Sequence, residues 1–385
     1  MTENGVVRTC CQGNVNLVDL SVTGAKNLTP LLNSAIIKEI QDAMLKGIPH
    51  EANCGACAMH ERTTGDGVTR ERFNKFFPDI KKNNGVALKT VMLRLNNLCN
   101  LGCVYCSPSS SSVWEARKKI PIKNTKVKDY QENLYDWVLD HVSEIQEIQL
   151  LGGEPMLIKQ NYSLIKALPL DARIIIVTNL AYELDKLPCL PDLLKRPKEN
   201  ILWNISFENI GKQFEYARSG ADWSLFSKNL KLLTKLWPHT VNVSFCYNIL
   251  SAFDMLKTVK QISYYGIHKY QFVSVWSNDP YNVWSTTTSD QLNVFSMPPA
   301  IKKLAAEEFR KVFEWREKFI HPNDLHLYPW YGANEIYKKL QSNVEENAIS
   351  KKEFYEFIDY FDSFSKEKFE TLWPELKSLI DLHLQ

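Results

Sequence analysis

The feature that most constrains this chain is the run Cys99-Asn-Leu-Gly-Cys103-Val-Tyr-Cys106, which places three thiols in one short segment. The apolar segment VALKTVMLRL at 86–95 precedes it and predicts a buried strand. Thiolates grouped in this way are typical ligands of iron–sulfur clusters and of zinc. Three ligands are one fewer than a closed cluster or a structural zinc site requires, so a fourth coordination position would stay open.

A second motif follows the next predicted strand, EIQEIQLL at 144–151, and consists of Gly152, Gly153, Glu154 and Pro155. Two glycines allow a backbone to come close to a ligand. A carboxylate can accept charge-assisted hydrogen bonds from an ammonium group, and the proline stiffens the chain after it. The motif taken alone is also compatible with an ordinary turn, and its place after the cysteine segment favours a binding role.

Strand-like and helix-like segments alternate from residue 86 to residue 276. The predicted strands are 86–95, 144–151, 173–177, 201–207, 241–249 and 269–276. Segments with helical spacing of apolar residues lie between them, at 129–142, 223–237 and 252–265. This alternation predicts parallel βαβ units with right-handed crossovers. Six such units form an incomplete barrel, whose active site is expected at the carboxyl ends of its strands.

The spacing Cys-x3-Cys-x-aromatic-Cys after a first strand resembles the signature of the radical S-adenosylmethionine (radical SAM) enzymes. The resemblance implies that Cys99, Cys103 and Cys106 hold a [4Fe–4S] cluster and act in catalysis. It implies that the open iron binds S-adenosylmethionine and that Tyr105 packs beside the adenine. An electron from the cluster would then release a 5′-deoxyadenosyl radical. The residues alone leave open a three-cysteine zinc loop.

The same resemblance extends to residues at later strand ends. It implies that Gly152, Gly153, Glu154 and Pro155 grip the amino group of the cofactor. The other cofactor-binding candidates that it implies are Thr178, Asn179, Ser206, Glu208, Arg218 and Asn248. Arg218 would pair with the cofactor carboxylate through its planar guanidinium. The expected fold class is therefore α/β, a partial (β/α)6 TIM-like radical SAM barrel with an N-terminal auxiliary-cluster element and a C-terminal helical cap.

The first eighty residues carry a second set of thiols, with Cys10 and Cys11 adjacent and Cys54 three residues before Cys57. These thiols can supply up to four ligands to one metal site, and a zinc ribbon is one interpretation. The surrounding sequence resembles radical SAM proteins with SPASM or twitch auxiliary elements. That resemblance implies a second, auxiliary [4Fe–4S] cluster bound by Cys10, Cys11, Cys54 and Cys57.

Two states of this auxiliary site are compatible with the sequence. Four thiolates would close it, and we favour this state because Cys10, Cys11, Cys54 and Cys57 supply the required number. Adjacent cysteines are strained as ligands of one cluster, so an open iron that binds substrate is the alternative. The two remaining cysteines, Cys189 and Cys246, are interpreted as structural, the second as a small apolar residue within a strand.

The predicted organisation has an auxiliary cluster-binding element at 1–80, the barrel at 86–280 and a mostly helical region at 281–385. The polar segment Ser277–Ala300 is expected to be extended. The serine run Ser109–Ser112 is expected to form a mobile loop over the active site, with Trp114 and Arg117 as substrate contacts.

Composition narrows the range of partners. The chain has 46 basic and 44 acidic side chains and a net charge of +2, which predicts no nucleic-acid partner. It contains neither an apolar signal segment nor a run of transmembrane length, so no membrane partner is expected. Cysteines spaced for metals rather than for disulfides fit a reducing compartment, and we expect a cytoplasmic protein.

The functional expectation is a radical SAM enzyme that takes a hydrogen atom from a peptide or amino-acid-like substrate. The electron donor would be a small reducing protein such as a flavodoxin or ferredoxin. One alternative is a small-molecule tailoring enzyme of the same superfamily. An alternative from another class is a two-cluster electron-transfer or zinc-scaffold protein, which would not cleave S-adenosylmethionine.

Overall fold

The structure is a computed structural model, and it describes residues 6–10, 13, 15–23, 27–64, 74, 88–119, 126–274, 290–320, 330–342 and 348–385. Its strands in chain order are β1 Val6–Arg8, β2 Asn16–Asp19, β3 Thr90–Arg94, β4 Gly102–Cys103, β5 Glu147–Leu151, β6 Arg173–Thr178, β7 Ile201–Ser206, β8 Arg218–Ser219, β9 Val241–Tyr247, β10 Tyr270–Ser274 and β11 Trp330–Tyr331. Its helices are α1 Leu20–Thr23, α2 Thr29–Leu32, α3 Ala35–Leu45, α4 Glu51–Thr64, α5 Ser112–Arg117, α6 Lys126–Asp140, α7 Lys159–Ala167, α8 Leu190–Leu194, α9 Gly211–Ala217, α10 Trp223–Leu236, α11 Ile249–Ala252, α12 Met255–Ser263, α13 Pro299–Phe319, α14 Ala333–Gln341, α15 Lys351–Asp362, α16 Phe369–Leu372 and α17 Pro374–His383.

Seven strands form one sheet in the order β3, β5, β6, β7, β9, β10 and β11, and every neighbouring pair is parallel. Each strand lies beside the one that precedes it in the chain, so the sheet winds in one direction. A doubly wound sheet would instead reverse its strand order at a switch point. Among the described residues, β3 and β11 do not pair with each other, so the sheet has two open edges. The expected α/β fold class is confirmed.

The six predicted strands all occur, with shorter bounds at some ends. The first begins at Thr90, and the last ends at Ser274, beyond which residues 275 and 276 lie outside the described part. Three short pairings were not predicted: β11 on the edge of the sheet, β4 with β8, and the antiparallel hairpin of β1 and β2. Strands of two or three residues are too short to show an alternating pattern.

The two faces of the sheet differ in burial. Along β7, Trp203 and Ile205 are fully buried, whereas Asn204 and Ser206, which alternate with them, are half-buried. Trp203 contacts Trp237, which ends α10, with ring centroids 5.4 Å apart. The buried face is therefore the one covered by helices. Right-handed crossovers in a sheet that winds in one direction place the connecting helices on one face, so the sheet curves as a partial barrel with the half-buried face inside, and we call this the concave face.

The C-terminal helices pack on the sheet through aromatic side chains. Phe309 of α13 is fully buried and lies 5.4 Å from the ring of Tyr247 and 5.7 Å from that of Phe272. Phe354 of α15 and Phe369 of α16 are buried in the same way. The segment expected to be extended at 277–300 lies outside the described part as far as residue 289. Asp290–Leu292 and Val294–Ser296 after it are turns of 3-10 helix.

Within the described ranges, none of the helices combines the length and the apolar character needed to cross a bilayer. The division of the chain at residues 80, 86 and 281 stays a prediction.

Replacing Phe309 with alanine should destabilise the protein by about 3–5 kcal/mol, because it would remove a fully buried ring that joins α13 to the sheet. The measurement is urea denaturation followed by circular dichroism. Phe319→Ala at the end of the same helix is the matched control, since its side chain is 51% exposed. Equal losses of stability in the two variants would contradict this packing.

Candidate functional site

The cysteine loop and the glycine turn meet at the carboxyl edge of the sheet. Strands β3 and β5 pair so that Arg94 lies opposite Leu151, and each strand leads directly into one of the two motifs. The Glu154 amide donates to Leu98 O over 2.7 Å. A Cβ added to Gly153 would lie 2.4 Å from that same oxygen, so no larger residue fits without displacing backbone.

Glu154 is fully buried and joins three segments of the site. Its carboxylate accepts hydrogen bonds from Met156 N at 3.1 Å, Thr178 Oγ1 at 2.9 Å and Asn179 N at 2.7 Å. Burial raises the pKa of Glu154 to about 7, although these hydrogen bonds favour the ionised form. The carboxylate thus ties the end of β6 to the glycine turn. Its predicted contact with the cofactor amino group stays a prediction.

Each loop cysteine has its own polar surroundings. The Cys99 sulfur accepts from Leu101 N at 3.5 Å and from Asn179 Nδ2 at 3.7 Å. Cys103 lies in β4 directly opposite Arg218 in β8. The Cys106 thiol donates to Ser107 O over 3.8 Å. Donors aimed at sulfur are the groups that orient thiolate ligands and tune an attached cluster.

A buried triad lies against Cys103. Glu208 accepts from the Tyr105 hydroxyl at 2.5 Å and from Arg218 Nη2 at 2.6 Å, and Arg218 Nη1 lies 3.9 Å from the Cys103 sulfur. Arg218 is 3% exposed and Glu208 is fully buried. Burial acts to lower the pKa of Arg218, but the Glu208 carboxylate holds that pKa well above its usual value. These three predicted cofactor-binding residues are therefore brought together, with Arg218 paired to Glu208.

The three thiols are of the residue type that holds a cluster, and they lie near one another. Burial raises the pKa of Cys99 and of Cys103, and it raises the pKa of Cys106 to about 11. Their mutual charge repulsion contributes to these shifts, which places all three within electrostatic reach of one another. In the described part of the chain, no three His, Cys, Asp or Glu side chains are arranged so that they could hold one metal ion. Protonated thiols have no charge to share with a metal, so ligation would require their deprotonation and rotation.

The serine run Ser109–Ser112 was expected to form a mobile loop over the active site, and this expectation is wrong. Ser111 Oγ donates to Leu101 O over 2.7 Å, and Ser112 Oγ bonds both the amide and the carbonyl of Cys99, each at 3.1 Å. Trp114 is only 1% exposed, so it is not available as a substrate contact. Hydroxyl groups that bond loop backbone fix its path, and this segment supports the cysteine loop from behind.

Arg117 takes part in the same support. Its Nη1 donates to Gly102 O over 3.4 Å and its Nη2 to Ser219 Oγ over 2.8 Å. The guanidinium thus joins the two strands of the β4–β8 pair. The expected substrate contact of Arg117 is replaced by this structural one.

Asn248 is committed to a helix cap. Its Oδ1 accepts from Leu250 N over 2.9 Å, and its Nδ2 donates to Cys246 O over 2.8 Å. The side chain is 1% exposed. This capping role at the start of α11 accounts for the asparagine at this strand end, and its contact with a cofactor stays a prediction.

The concave face of the sheet carries uncharged polar groups. Asn204 lies opposite Asn242, and Ser206 lies opposite Ser244, which in turn lies opposite Gln271. All five are half-buried. Within the described residues, none of their side chains makes a hydrogen bond. Uncharged groups with unused hydrogen-bonding capacity on a concave face suit a polar, neutral ligand.

Cys246 was interpreted as a small apolar residue in a strand, and it lies in β9, packed against the hydrophobic core. It is half-buried on the concave face, two residues beyond Ser244 along β9. Burial raises its pKa well above the usual value, with Glu208 and Cys103 among the nearby charged or titratable groups. A cysteine inside an alternating strand gives no sign in the sequence of the groups that face it across the sheet.

The N-terminal thiols are also brought together, as far as they are described. Cys54 and Cys57 occupy one face of α4, three residues apart. Thr9 Oγ1 bonds Asn53 Oδ1 at 2.9 Å, which fastens the Cys10 turn to the start of that helix. Burial is the main cause of the raised pKa of Cys57. The charges of Cys10 and Cys54 raise this pKa further. Cys11 lies outside the described residues.

No family model and no curated protein matches this chain. Solved structures that are similar include anSMEcpe with bound AdoMet, 17% identical with a TM-score of 0.39, each chain covered over 59% of its length. SuiB of Streptococcus suis bound to S-adenosylmethionine is 17% identical with a TM-score of 0.40, with 82% of this chain and 71% of that chain covered. SuiB bound to its precursor peptide SuiA is 14% identical with a TM-score of 0.40. This chain thus spans about three fifths of anSMEcpe, and likenesses this distant identify neither its reaction nor its substrate.

Replacing Glu154 with glutamine should change how the stability of the metal-free protein depends on pH. The raised pKa of Glu154 means that the folded protein binds a proton between pH 4.5 and about pH 7 that the unfolded chain has released. The free energy of unfolding of the wild type should therefore fall as pH rises through this range, by about 3 kcal/mol relative to Glu154→Gln. Urea denaturation at pH 5 and pH 8 measures the difference, and parallel pH profiles would contradict the buried carboxyl.

Proposed function

We propose that this protein is a radical SAM enzyme that modifies a peptide or amino-acid-like substrate. The observation that carries the proposal is the contact between the cysteine loop and the glycine turn at the carboxyl edge of a parallel sheet. Three thiols and a turn that requires glycine lie where a barrel of this kind carries its active site. A fully ligated structural site would not need an adjoining concave face of free polar groups.

The chain would supply ligands, orientation and shelter to the bound groups. Cys99, Cys103 and Cys106 would hold a [4Fe–4S] cluster, which leaves one iron for S-adenosylmethionine. When bound and reduced, the cluster would supply the single electron that reductive cleavage of S-adenosylmethionine requires, and the reaction supported would be removal of a hydrogen atom from the substrate. Arg218, paired with Glu208, would offset the negative charge of the thiolates beside Cys103.

The predicted cofactor contacts lie around this loop. Ser206 has a free hydroxyl on the concave face, and Asn179 bonds both Cys99 and Asn100. Tyr105 is 6% exposed. The guanidinium carbon of Arg218 lies 5.5 Å from the centroid of the Tyr105 ring. These positions support the proposed cofactor site and leave the individual contacts to experiment.

The concave face supports a neutral polar substrate. Asn204, Asn242 and Gln271 each offer an amide with both a donor and an acceptor, which matches the groups of a peptide backbone. Within the described residues no further strand pairs with β3 or β11, and unpaired edges of this kind are where an extended peptide segment can add to a sheet. A small-molecule tailoring enzyme is the alternative, and a compact substrate would not need the open side.

A second cluster in the N-terminal element is part of the proposal. The proximity of Cys10, Cys54 and Cys57, and the bond from Thr9 to Asn53, support a shared metal site there. Cys11 would be the fourth ligand of a closed auxiliary [4Fe–4S] cluster, whereas without it one iron would be open. A small cytoplasmic reductant such as a flavodoxin or ferredoxin would deliver electrons to the protein.

Anaerobic reconstitution should give about eight irons and eight sulfides per chain, the content of two [4Fe–4S] clusters. Changing Cys99, Cys103 and Cys106 together to alanine should leave about four irons, because only the N-terminal site would then assemble. Iron and sulfide assays with Mössbauer spectra measure this.

Cys189→Ala is the matched control for the cysteine substitutions, because Cys189 is buried and belongs to neither set of proposed cluster ligands. It should leave both clusters intact. Loss of all iron in the triple variant, or one zinc per chain at Cys54 and Cys57, would contradict the two-cluster proposal.

Reduced, reconstituted protein should convert S-adenosylmethionine into 5′-deoxyadenosine and methionine, slowly in the absence of substrate. Ser206→Ala should weaken cofactor binding by about fivefold to tenfold while the cluster still assembles, because one hydrogen bond contributes about 1 kcal/mol. Liquid chromatography of 5′-deoxyadenosine and equilibrium binding of the cofactor provide the measurements.

Ser263→Ala on the outer helix α12 is the control, because that hydroxyl bonds Val259 O within its own helix. It should behave as the wild type does. Two intact clusters without any 5′-deoxyadenosine under strong reduction would favour the electron-transfer alternative.

A further inference from the structure

One buried side chain, Trp114, connects the cysteine loop to the C-terminal helices. Trp114 lies in α5, directly after the serine run, and is 1% exposed. Its indole N–H donates to Cys103 O over 2.8 Å. The acceptor is therefore the backbone of a proposed cluster ligand, and the inference rests on the proposed function to that extent.

The same carbonyl closes the turn between two ligands. The Cys106 amide donates to Cys103 O over 3.0 Å, so this oxygen accepts from both Cys106 and Trp114. Two donors use both lone pairs of a carbonyl and fix the orientation of its peptide plane. The peptide plane after Cys103 helps to set the relative positions of the Cys103 and Cys106 sulfurs.

The indole ring is packed against the C-terminal region. Tyr360 stacks on it with centroids 6.0 Å apart, and Phe361 and Phe364 meet it edge-on at 5.3 and 6.1 Å. The Arg117 guanidinium lies 5.0 Å from the Trp114 ring and 4.3 Å from the Phe364 ring. Offset and edge-on contacts of this kind restrict the ring in more than one direction.

Helix α15, which carries Tyr360 and Phe361, is itself held to the barrel. Asp362 accepts from the Tyr216 hydroxyl over 2.8 Å, and Tyr216 lies in α9, two residues before Arg218 in β8. Because β8 pairs with β4, these contacts form a closed ring around the cysteine loop. The ring runs from the loop through Trp114 to α15, from α15 to α9, and through β8 back to β4.

We propose that Trp114 is a positioning residue for the cluster ligands. Its N–H fixes the Cys103–Cys106 turn, and its ring sets the place of that turn relative to α15. A tryptophan that only filled space in the core would not require the Cys103 carbonyl as a hydrogen-bond acceptor. Trp137 donates instead to Thr29 Oγ1, and the N–H of Trp203 has no partner among the described residues.

The test compares Trp114→Phe with Trp137→Phe. The first change keeps most ring contacts and removes the N–H bond to Cys103. The second removes an indole N–H bond to Thr29 Oγ1, which is not part of the cysteine loop. In metal-free protein, iodoacetamide should alkylate Cys103 and Cys106 at least threefold faster in Trp114→Phe than in the wild type or Trp137→Phe, as followed by peptide mass spectrometry. Alkylation of Cys54 and Cys57 should be unchanged.

In reconstituted protein, Trp114→Phe should release iron from the first cluster to a chelator about tenfold faster, since supporting hydrogen bonds commonly contribute that factor to metal affinity. The electron paramagnetic resonance signal of that cluster should change, while the signal of the N-terminal cluster stays the same. Equal release rates in Trp114→Phe and Trp137→Phe would overturn the proposal.

A second variant, Phe361→Leu, loosens the ring contact and keeps the N–H bond. It should shift alkylation of Cys103 and Cys106 in the same direction by a smaller factor, and rates equal to those of the wild type would contradict the role of α15. The alkylation assay needs no cluster. A wild type that fails to bind a first cluster would therefore refute the proposed function and leave the test of Trp114 intact.

Discussion

The site depends on the close approach of two backbone segments, 96–98 and 152–153. The oxygens of Asn97 and Leu98 lie within 2.5 Å of the position that a Cβ of Gly153 would occupy. Gly152 adopts a φ of +142°, where side chains are disfavoured. This approach brings the amide of Glu154 to Leu98 O and places its carboxylate beneath the ends of β5 and β6. A side chain at Gly153 would push the cysteine loop away from the sheet and separate the thiols from the residues that surround them.

Two buried carboxylates flank the cysteine loop, and each is stabilised in a different way. Glu154 accepts only neutral donors, so burial dominates and its pKa rises to about 7. Glu208 is paired with Arg218 and with the Tyr105 hydroxyl. A buried ion pair adds little to stability compared with apolar residues, but removal of one partner is strongly destabilising. The pair therefore maintains a positive group beside Cys103, in a region where thiolates would otherwise repel one another.

Much of the fold followed from the sequence, because parallel strands and amphipathic helices leave long periodic patterns. The segment 201–207 alternates, and β7 is buried at every second position as that pattern requires. Short strands leave no such pattern, so the pairing of Cys103 with Arg218 was not foreseen. The three thiols were found from their spacing, but the two partners of Glu208 lie 103 residues before it, at Tyr105, and 10 residues after it, at Arg218.

The role of the serine run was misjudged for a physical reason. Serine-rich segments are often flexible because their hydroxyl groups are usually solvated. Here Ser111 and Ser112 bond the backbone of the cysteine loop, and only the fold shows which acceptors lie within reach. Likewise, Trp114 and Arg117 appear in the sequence as large groups near an active site. The burial of Trp114 and the ring contact of Arg117 depend on aromatic residues more than two hundred positions later in the chain.

The ring of contacts around the cysteine loop has a consequence for biosynthesis. A ribosome releases Cys99 to Cys106 long before it makes Arg218, and Tyr216 bonds Asp362 across a further separation of 146 residues. Contacts between distant segments form only when both have emerged and folded together. The nascent loop would lack its opposite strand, its indole support and its aromatic backing. Under the proposed function, iron delivered at that stage would meet thiols without these contacts, so we expect the proposed cluster to assemble after translation, when the chain has closed around the loop.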